Sequence, residues 1–131
     1  NHGVILLPNA TAWTALSDRD AKTDYQPVRP REILFKLAAM PVTSWQYKHD
    51  PGRRYIGPTA QDFMVAFRLG DNDKGINTLD ADGVAFAAIQ GLVEELKDRD
   101  AEISALKARN DELSRKIETI NERLDNMPPA P

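Results

Sequence analysis

A heptad repeat in the last third of the sequence constrains the fold more than any other feature. With Ile89 at position a, ten of the twelve a and d positions up to Met127 are apolar, and charged residues fill most positions between them. These twelve positions, called the seam below, are Ile89, Leu92, Leu96, Arg99, Ile103, Leu106, Asn110, Leu113, Ile117, Ile120, Leu124 and Met127. A pattern sustained over so many heptads predicts a coiled coil.

One helix cannot bury such a seam, and the remainder of the chain is too short to cover it. The sequence therefore predicts an oligomer, in which the coiled coil is part of the fold. Isoleucine at a with leucine at d favours two strands, whereas isoleucine at both positions, as at Ile117 and Ile120, favours three. The predicted helix begins near Asp82 and ends at Pro128-Pro129, because proline cannot continue a helix.

Two polar residues interrupt the seam, Arg99 at a d position and Asn110 at an a position. A buried polar residue at such a position commonly fixes the register and the number of strands, and this is the interpretation we favour. The alternative is an ion held on the symmetry axis between equivalent side chains.

Composition excludes several kinds of site and partner. Residues 1–88 carry ten acids and ten bases, and residues 89–131 carry ten acids and seven bases, so neither part has the basic excess of a nucleic-acid or membrane-surface protein. Without cysteine there can be no disulfide, thiolate zinc site or cysteine nucleophile. The Asp-rich stretch 71–75 lacks the spacing of a calcium loop, and the apolar run Val4–Leu7 is too short to span a membrane. We expect no metal, cofactor, nucleic acid or membrane partner.

The region before the coiled coil is predicted to be a small head of mixed structure. Its apolar residues follow a helical period after Pro30, which suits the first position of a helix, and then alternate as in a half-buried strand. The predicted elements are a helix over 30–40, a hairpin of 42–49 and 53–57 about an Asp-Pro-Gly turn, and a helix over 60–67 capped by Thr59.

The fold class expected from these elements is α+β, a small head followed by a long C-terminal helix. Residues 1–16, with an apolar strand-like run, are predicted to end an upstream β-rich region. The head is then 17–88, the coiled coil 89–127 and a short tail 128–131. Since the chain starts at Asn1 without Met, we expect it to be part of a longer protein.

One pair of residues in the head could carry chemistry. Ser17 lies five residues before Lys22, and a serine beside a lysine can act as nucleophile and base when the lysine amine is neutral. A free lysine amine, with a pKa near 10.4, is almost wholly charged at neutral pH. The alternative from spacing alone is that Ser17-Asp18 simply forms a turn or a helix cap.

Four segments in order resemble a known family. They are Ser17-Asp18-Arg19-x-x-Lys22, then Ile33-Leu34-x-x-Leu37 with Tyr47-Lys48, then Tyr55-Ile56-Gly57-Pro58-Thr59-Ala60-Gln61-Asp62-Phe63, and finally Asp80-x-Asp82-Gly83-Val84 leading into the coiled coil. Together they resemble the intramolecular chaperone auto-processing domain at the C-terminus of phage endosialidase tailspikes and other tail fibres. Similar domains occur in bacterial surface-fibre proteins and in myelin regulatory factor. The resemblance covers residues 17 to about 124.

The resemblance implies a parallel homotrimer that brings three upstream chains into register and then cuts each chain. Carried onto this sequence, the bond cut is Leu16–Ser17, Ser17 is the nucleophile and Lys22 is its base. The partner is the upstream passenger domain of the same chain, and the setting is a phage tail or a bacterial surface. Two alternatives remain: a structural trimerisation cap that does not cut, and a receptor-binding tip of a fibre.

Overall fold

The computed structural model describes residues 4–5 and 8–128, with side chains from residue 8 onward. His2, part of the Val4–Leu7 run and the last three residues of the predicted tail lie outside the described residues. The chain divides into two compact units, Asn1–Leu92 and Val93–Pro131, which are described in turn.

The predicted α+β class is confirmed for the described part of the chain. Two short antiparallel strand pairs and three helices occur there, and the last helix is much the longest. In chain order the elements are β1 (Val4–Ile5), β2 (Thr14–Ala15), a 3-10 turn (Arg19–Ala21), α1 (Pro30–Ala39), β3 (Thr43–Trp45), β4 (Tyr55–Gly57), α2 (Ala60–Phe67) and α3 (Thr78–Asp125).

Helix α1 forms where the sequence predicts it. Pro30 occupies its first turn, where a missing N–H costs nothing, and Met40 has already left the helical conformation before Pro41. On the exposed face, Lys36 Nζ lies 2.7 Å from a carboxylate oxygen of Glu32, one turn earlier. The hydrogen bond and the positive charge of Lys36 lower the pKa of the Glu32 carboxyl.

The predicted hairpin is present but its strands are shorter than the alternation indicated. Strand β3 covers Thr43–Trp45 instead of 42–49, because the chain turns at Tyr47, whose carbonyl accepts a hydrogen bond from the Asp50 N–H at 3.1 Å. Trp45 pairs with Tyr55 across β3 and β4, and their rings stack at 5.0 Å. Cross-strand aromatic pairs of this kind stabilise a short hairpin.

Helix α2 begins at the predicted cap. The Thr59 hydroxyl accepts a hydrogen bond from the Asp62 N–H at 3.1 Å and donates to the Asp62 carboxylate at 2.6 Å. The helix buries Phe63 in a small core with Met40 and Val84. Half-buried side chains surround that core: Ile33, Leu37, Ala66, Phe67 and Ile76.

Helix α3 begins at Thr78, four residues before the predicted start at Asp82. The difference arises because Asn77 caps it: the Asn77 side-chain oxygen accepts from the Leu79 N–H at 2.9 Å, and its carbonyl accepts from the Ala81 N–H at 3.0 Å. The first turns of α3 bury one face against the rest of the head. This face consists of Val84, Ala87, Ala88 and Gly91. That spacing is one stripe of an α-helix.

The second unit consists mainly of the remainder of α3, which ends at Asp125. Its polar faces carry pairs one turn apart, such as Lys116 with Glu112 at 2.6 Å and Arg99 with Glu102 at 3.3 Å. Such pairs support an exposed helix by a few tenths of a kcal/mol each, on the order of 0.2–0.5. No helix in the described part of the chain is both long and apolar enough to cross a membrane.

Candidate functional site

The structure brings the side chains of Ser17 and Lys22 into direct contact. Lys22 Nζ donates a hydrogen bond to Ser17 Oγ over 2.7 Å, and both side chains are exposed. Ser17 follows Leu16, a half-buried residue immediately after β2. The hydroxyl of Ser17 therefore lies next to the Leu16–Ser17 peptide bond and within reach of an amine.

The contact is produced by a single 3-10 turn, Arg19–Ala21, which the sequence reading did not predict as such. Asp18 caps this turn, with its side-chain oxygen accepting from the Asp20 N–H at 3.1 Å. The Lys22 N–H closes the turn on the Arg19 carbonyl at 3.1 Å. This reversal of the chain brings the Lys22 side chain back towards Ser17.

The same geometry shows which residue caps the turn. The residue that caps the 3-10 turn is Asp18, because its carboxylate accepts the hydrogen bond from the Asp20 N–H. Ser17 Oγ is left to accept from Lys22. The turn and the Ser–Lys contact are thus two parts of one local structure.

Tyr25 is a residue of this site that sequence reasoning missed. Its hydroxyl donates to the Arg19 carbonyl at 3.0 Å, and the Arg19 guanidinium lies 5.7 Å from the centre of the Tyr25 ring. The second contact has the geometry of a cation–π interaction. Nothing in the six-residue spacing of Arg19 and Tyr25 could have indicated this pairing.

The arrangement supplies two of the groups that peptide-bond cleavage requires. A serine hydroxyl becomes nucleophilic when a neighbouring base takes its proton, and nucleophile and base should lie 2.6–3.2 Å apart. The observed Lys22–Ser17 distance falls in that range. In the described residues, no group of three or more histidine, aspartate or glutamate side chains could hold a metal ion.

Two further polar segments of the head, 49–50 and 71–75, are explained by local structure. The His49 ring stacks on Tyr47 at 5.1 Å, and the neighbouring Asp50 takes part in the turn after β3. In the Asp-rich stretch, the Asn72 side chain accepts from the Lys74 N–H at 2.9 Å, which is ordinary turn chemistry.

The apolar side chains of the seam are exposed along α3. From Ile89 to Leu124 each keeps 45–59 % of its surface accessible, and Met127 keeps 65 %. The two polar seam residues, Arg99 and Asn110, are also exposed, and Arg99 pairs with Glu102 of its own helix. A stripe of this length is far more apolar surface than a soluble monomer normally exposes.

The described residues thus form an α+β head in which Ser17 and Lys22 are in contact, and a long helix with an exposed apolar stripe. Residues 17–68 match the family model described as "Chaperone of endosialidase". The match confirms, for this segment, the family resemblance predicted from the sequence motifs, and it supports a chaperone role. It begins at Ser17 and includes Lys22, α1, the hairpin and α2. No curated protein and no solved structure matches the chain significantly.

Proposed function

We propose that this chain is a C-terminal intramolecular chaperone that trimerises, sets the register of an upstream fibre or spike protein and then releases itself by cutting Leu16–Ser17. The family match over residues 17–68 carries the chaperone part of the proposal. The passenger would be the β-rich region upstream of residue 17, in a phage tail or on a bacterial surface.

The exposed seam supports the assembly step. Burying an apolar side chain of this size yields about 1.5–3 kcal/mol, so ten of them on each chain provide a strong drive to associate. The head itself has only a small buried core around Phe63, and apolar side chains such as Ile56 and Val65 remain about four-fifths exposed. Association of three chains would cover the seam and could cover part of this surface.

Trimerisation explains how such a module would act as a chaperone. Upstream strands from three chains must meet in register, and this costs ordering entropy before any contact stabilises them. A C-terminal trimer holds the three chains at high effective concentration, so that register is set once and then propagates. The polar seam residue Asn110 would help to fix that register.

The Lys22–Ser17 hydrogen bond is the single observation that carries the cleavage step. Ser17 Oγ would attack the Leu16 carbonyl carbon while neutral Lys22 takes the hydroxyl proton. The Ser17 amide nitrogen then accepts a proton and leaves, so that the Leu16 acyl group is transferred to Ser17 Oγ as an ester. Water hydrolyses this ester, giving a Leu16 carboxylate and a new Ser17 amino terminus.

Assembly gives a physical reason why cleavage would occur only after trimerisation. Lys22 is exposed to water in the single chain, and water favours the charged form of an amine. Neighbouring chains that exclude water from Lys22 would favour its neutral form and so make it a usable base. Cleavage would then follow trimerisation and not precede it.

The test is to express the chain with natural upstream sequence and to follow its mass and its oligomeric state. We expect a trimer by sedimentation equilibrium and a mass loss that corresponds to cutting at Leu16–Ser17. Ser17→Ala and Lys22→Arg should both stop the cut and leave the trimer intact, because arginine keeps the charge but cannot act as a base.

Each part of the proposal can fail separately. A monomer at micromolar concentration would refute trimerisation. A trimer that stays whole for days at pH 7–9 would refute cleavage and leave a structural cap, in which Ser17 is only a turn residue.

A further inference from the structure

We infer that Tyr25 is a positioning residue for the proposed cleavage, acting through the 3-10 turn that holds Lys22 against Ser17. The expected effect on the cleavage rate rests on the proposed function. The expected effect on the position of Lys22 rests on the observed contacts alone. The Tyr25 hydroxyl donates to the Arg19 carbonyl, and the Lys22 amine contacts Ser17, so the effect of Tyr25 would pass through Lys22.

The Arg19 carbonyl is the point of coupling. It accepts one hydrogen bond from the Tyr25 hydroxyl at 3.0 Å and another from the Lys22 N–H at 3.1 Å. The same oxygen thus links the tyrosine to the backbone of the proposed base. The Arg19 guanidinium, 5.7 Å from the ring centre, adds a second link between the turn and Tyr25.

The turn needs such support because it has little of its own. None of the residues of the Arg19–Ala21 turn is buried, so it is not held by a hydrophobic core. A 3-10 helix has poorer hydrogen-bond geometry than an α-helix and occurs mostly in short pieces. The Asp18 cap and the Tyr25 hydroxyl are therefore its main side-chain supports.

Tyr25 is not part of the hydrophobic core of the head. It is 61 % exposed, and it does not belong to the core around Phe63. The long Lys22 side chain loses rotamer freedom when its amine meets Ser17, and a fixed backbone at Lys22 keeps the amine within reach of the hydroxyl. A fixed turn therefore increases the fraction of time that the Lys22 amine contacts Ser17.

The kinetic test compares first-order cleavage rates of trimers with matched variants. Tyr25→Phe removes the hydroxyl and keeps the ring, and Tyr25→Leu removes both. We expect slowing of about 10-fold and about 100-fold respectively, since small displacements of a reacting group cost up to 100-fold. The control is Gln26→Ala, which removes a hydrogen bond to Asp24 in the same loop and should cut at the wild-type rate.

A chemical-rescue cycle separates positioning from general loss of structure. In Lys22→Ala, added n-propylamine replaces the missing part of the side chain without a tether to the turn. If Tyr25 acts through Lys22, Tyr25→Phe should slow the wild type but not the rescued Lys22→Ala trimer. Equal slowing in both backgrounds, or a wild-type rate in Tyr25→Phe, would overturn the inference.

A structural readout decides the matter if the chain does not cut or the amine does not rescue. In the uncut chain, a nuclear Overhauser effect between Ser17 Hβ and Lys22 Hε should be present in wild type and in Gln26→Ala. Its loss in Tyr25→Phe and Tyr25→Leu supports the positioning role even in a chain that never cuts. An undiminished effect in both Tyr25 variants overturns that role and leaves the proposed function standing.

Discussion

Gly91→Ala should destabilise the head, although helix propensity alone predicts the opposite. Gly91 lies on the buried face of α3, where the start of α1 approaches it. A Cβ placed on Gly91 would lie 2.6 Å from the Pro30 carbonyl carbon and 2.9 Å from the Arg31 nitrogen, and closer still to the Pro30 oxygen. Ordinary contact begins at 3.4 Å, and these are backbone atoms that cannot swing aside.

The expected magnitude follows from two opposing effects. Replacing a helical glycine by alanine stabilises by about 1 kcal/mol when the site is open. Forcing a methyl group into a filled site costs typically about 1–3 kcal/mol, and the backbone contact at Gly91 places it at the upper end. We therefore expect Gly91→Ala to lower the free energy of unfolding of the head by about 1–2 kcal/mol.

Gly83 provides a matched control on the same helix. A Cβ there would meet no atom within 4 Å, so Gly83→Ala should raise stability by about 0.5–1 kcal/mol. Neither glycine is a seam residue, so neither change alters the predicted coiled-coil contacts. The two variants should shift stability in opposite directions from wild type and differ from each other by about 1.5–3 kcal/mol.

The assay is urea denaturation at one protomer concentration, since association makes apparent stability concentration-dependent. Tryptophan fluorescence reports the first unit, because both tryptophans, Trp13 and Trp45, lie there. Circular dichroism at 222 nm reports mainly α3. A fluorescence midpoint for Gly91→Ala equal to or above that of Gly83→Ala would show that α1 does not approach α3 as closely as described.

Three further predictions concern the seam and the candidate site. Changing both Ile103 and Leu106 to Asp should dissociate the proposed trimer and unfold much of the head, and sedimentation equilibrium with circular dichroism checks this. Asn110→Ile should raise the melting temperature, because a buried polar seam residue trades stability for register; a clear fall would indicate a stabilising contact such as an axial ion. Asp20→Leu removes an acid two residues before Lys22, so it should favour the neutral amine and speed cutting at Leu16–Ser17; an unchanged rate by mass spectrometry would show that Asp20 does not influence Lys22.

Much of the head could be predicted because its signals are local. Pro30 suits only the first turn of a helix, Thr59 can cap a helix with its own hydroxyl, and the apolar spacing behind each gives the helical face. These effects act within about one helical turn, so the residues that produce them can be identified from the sequence. The start of α3 was wrong by four residues because Asn77 and Asp82 are both good caps, and local propensity does not decide between them.

The sequence by itself determined the long helix and the apolar seam along it, since a heptad repeat of this length leaves few alternatives to a helix. That the seam is covered by partner chains stays a prediction. The sequence also determined that Ser17 and Lys22 are close enough along the chain to meet. Only the folded structure showed that Tyr25 supports the 3-10 turn, and that the Pro30 backbone lies where a side chain on Gly91 would be. These features depend on contacts between residues far apart in sequence or on the exact path of the backbone, and no periodicity or propensity records either.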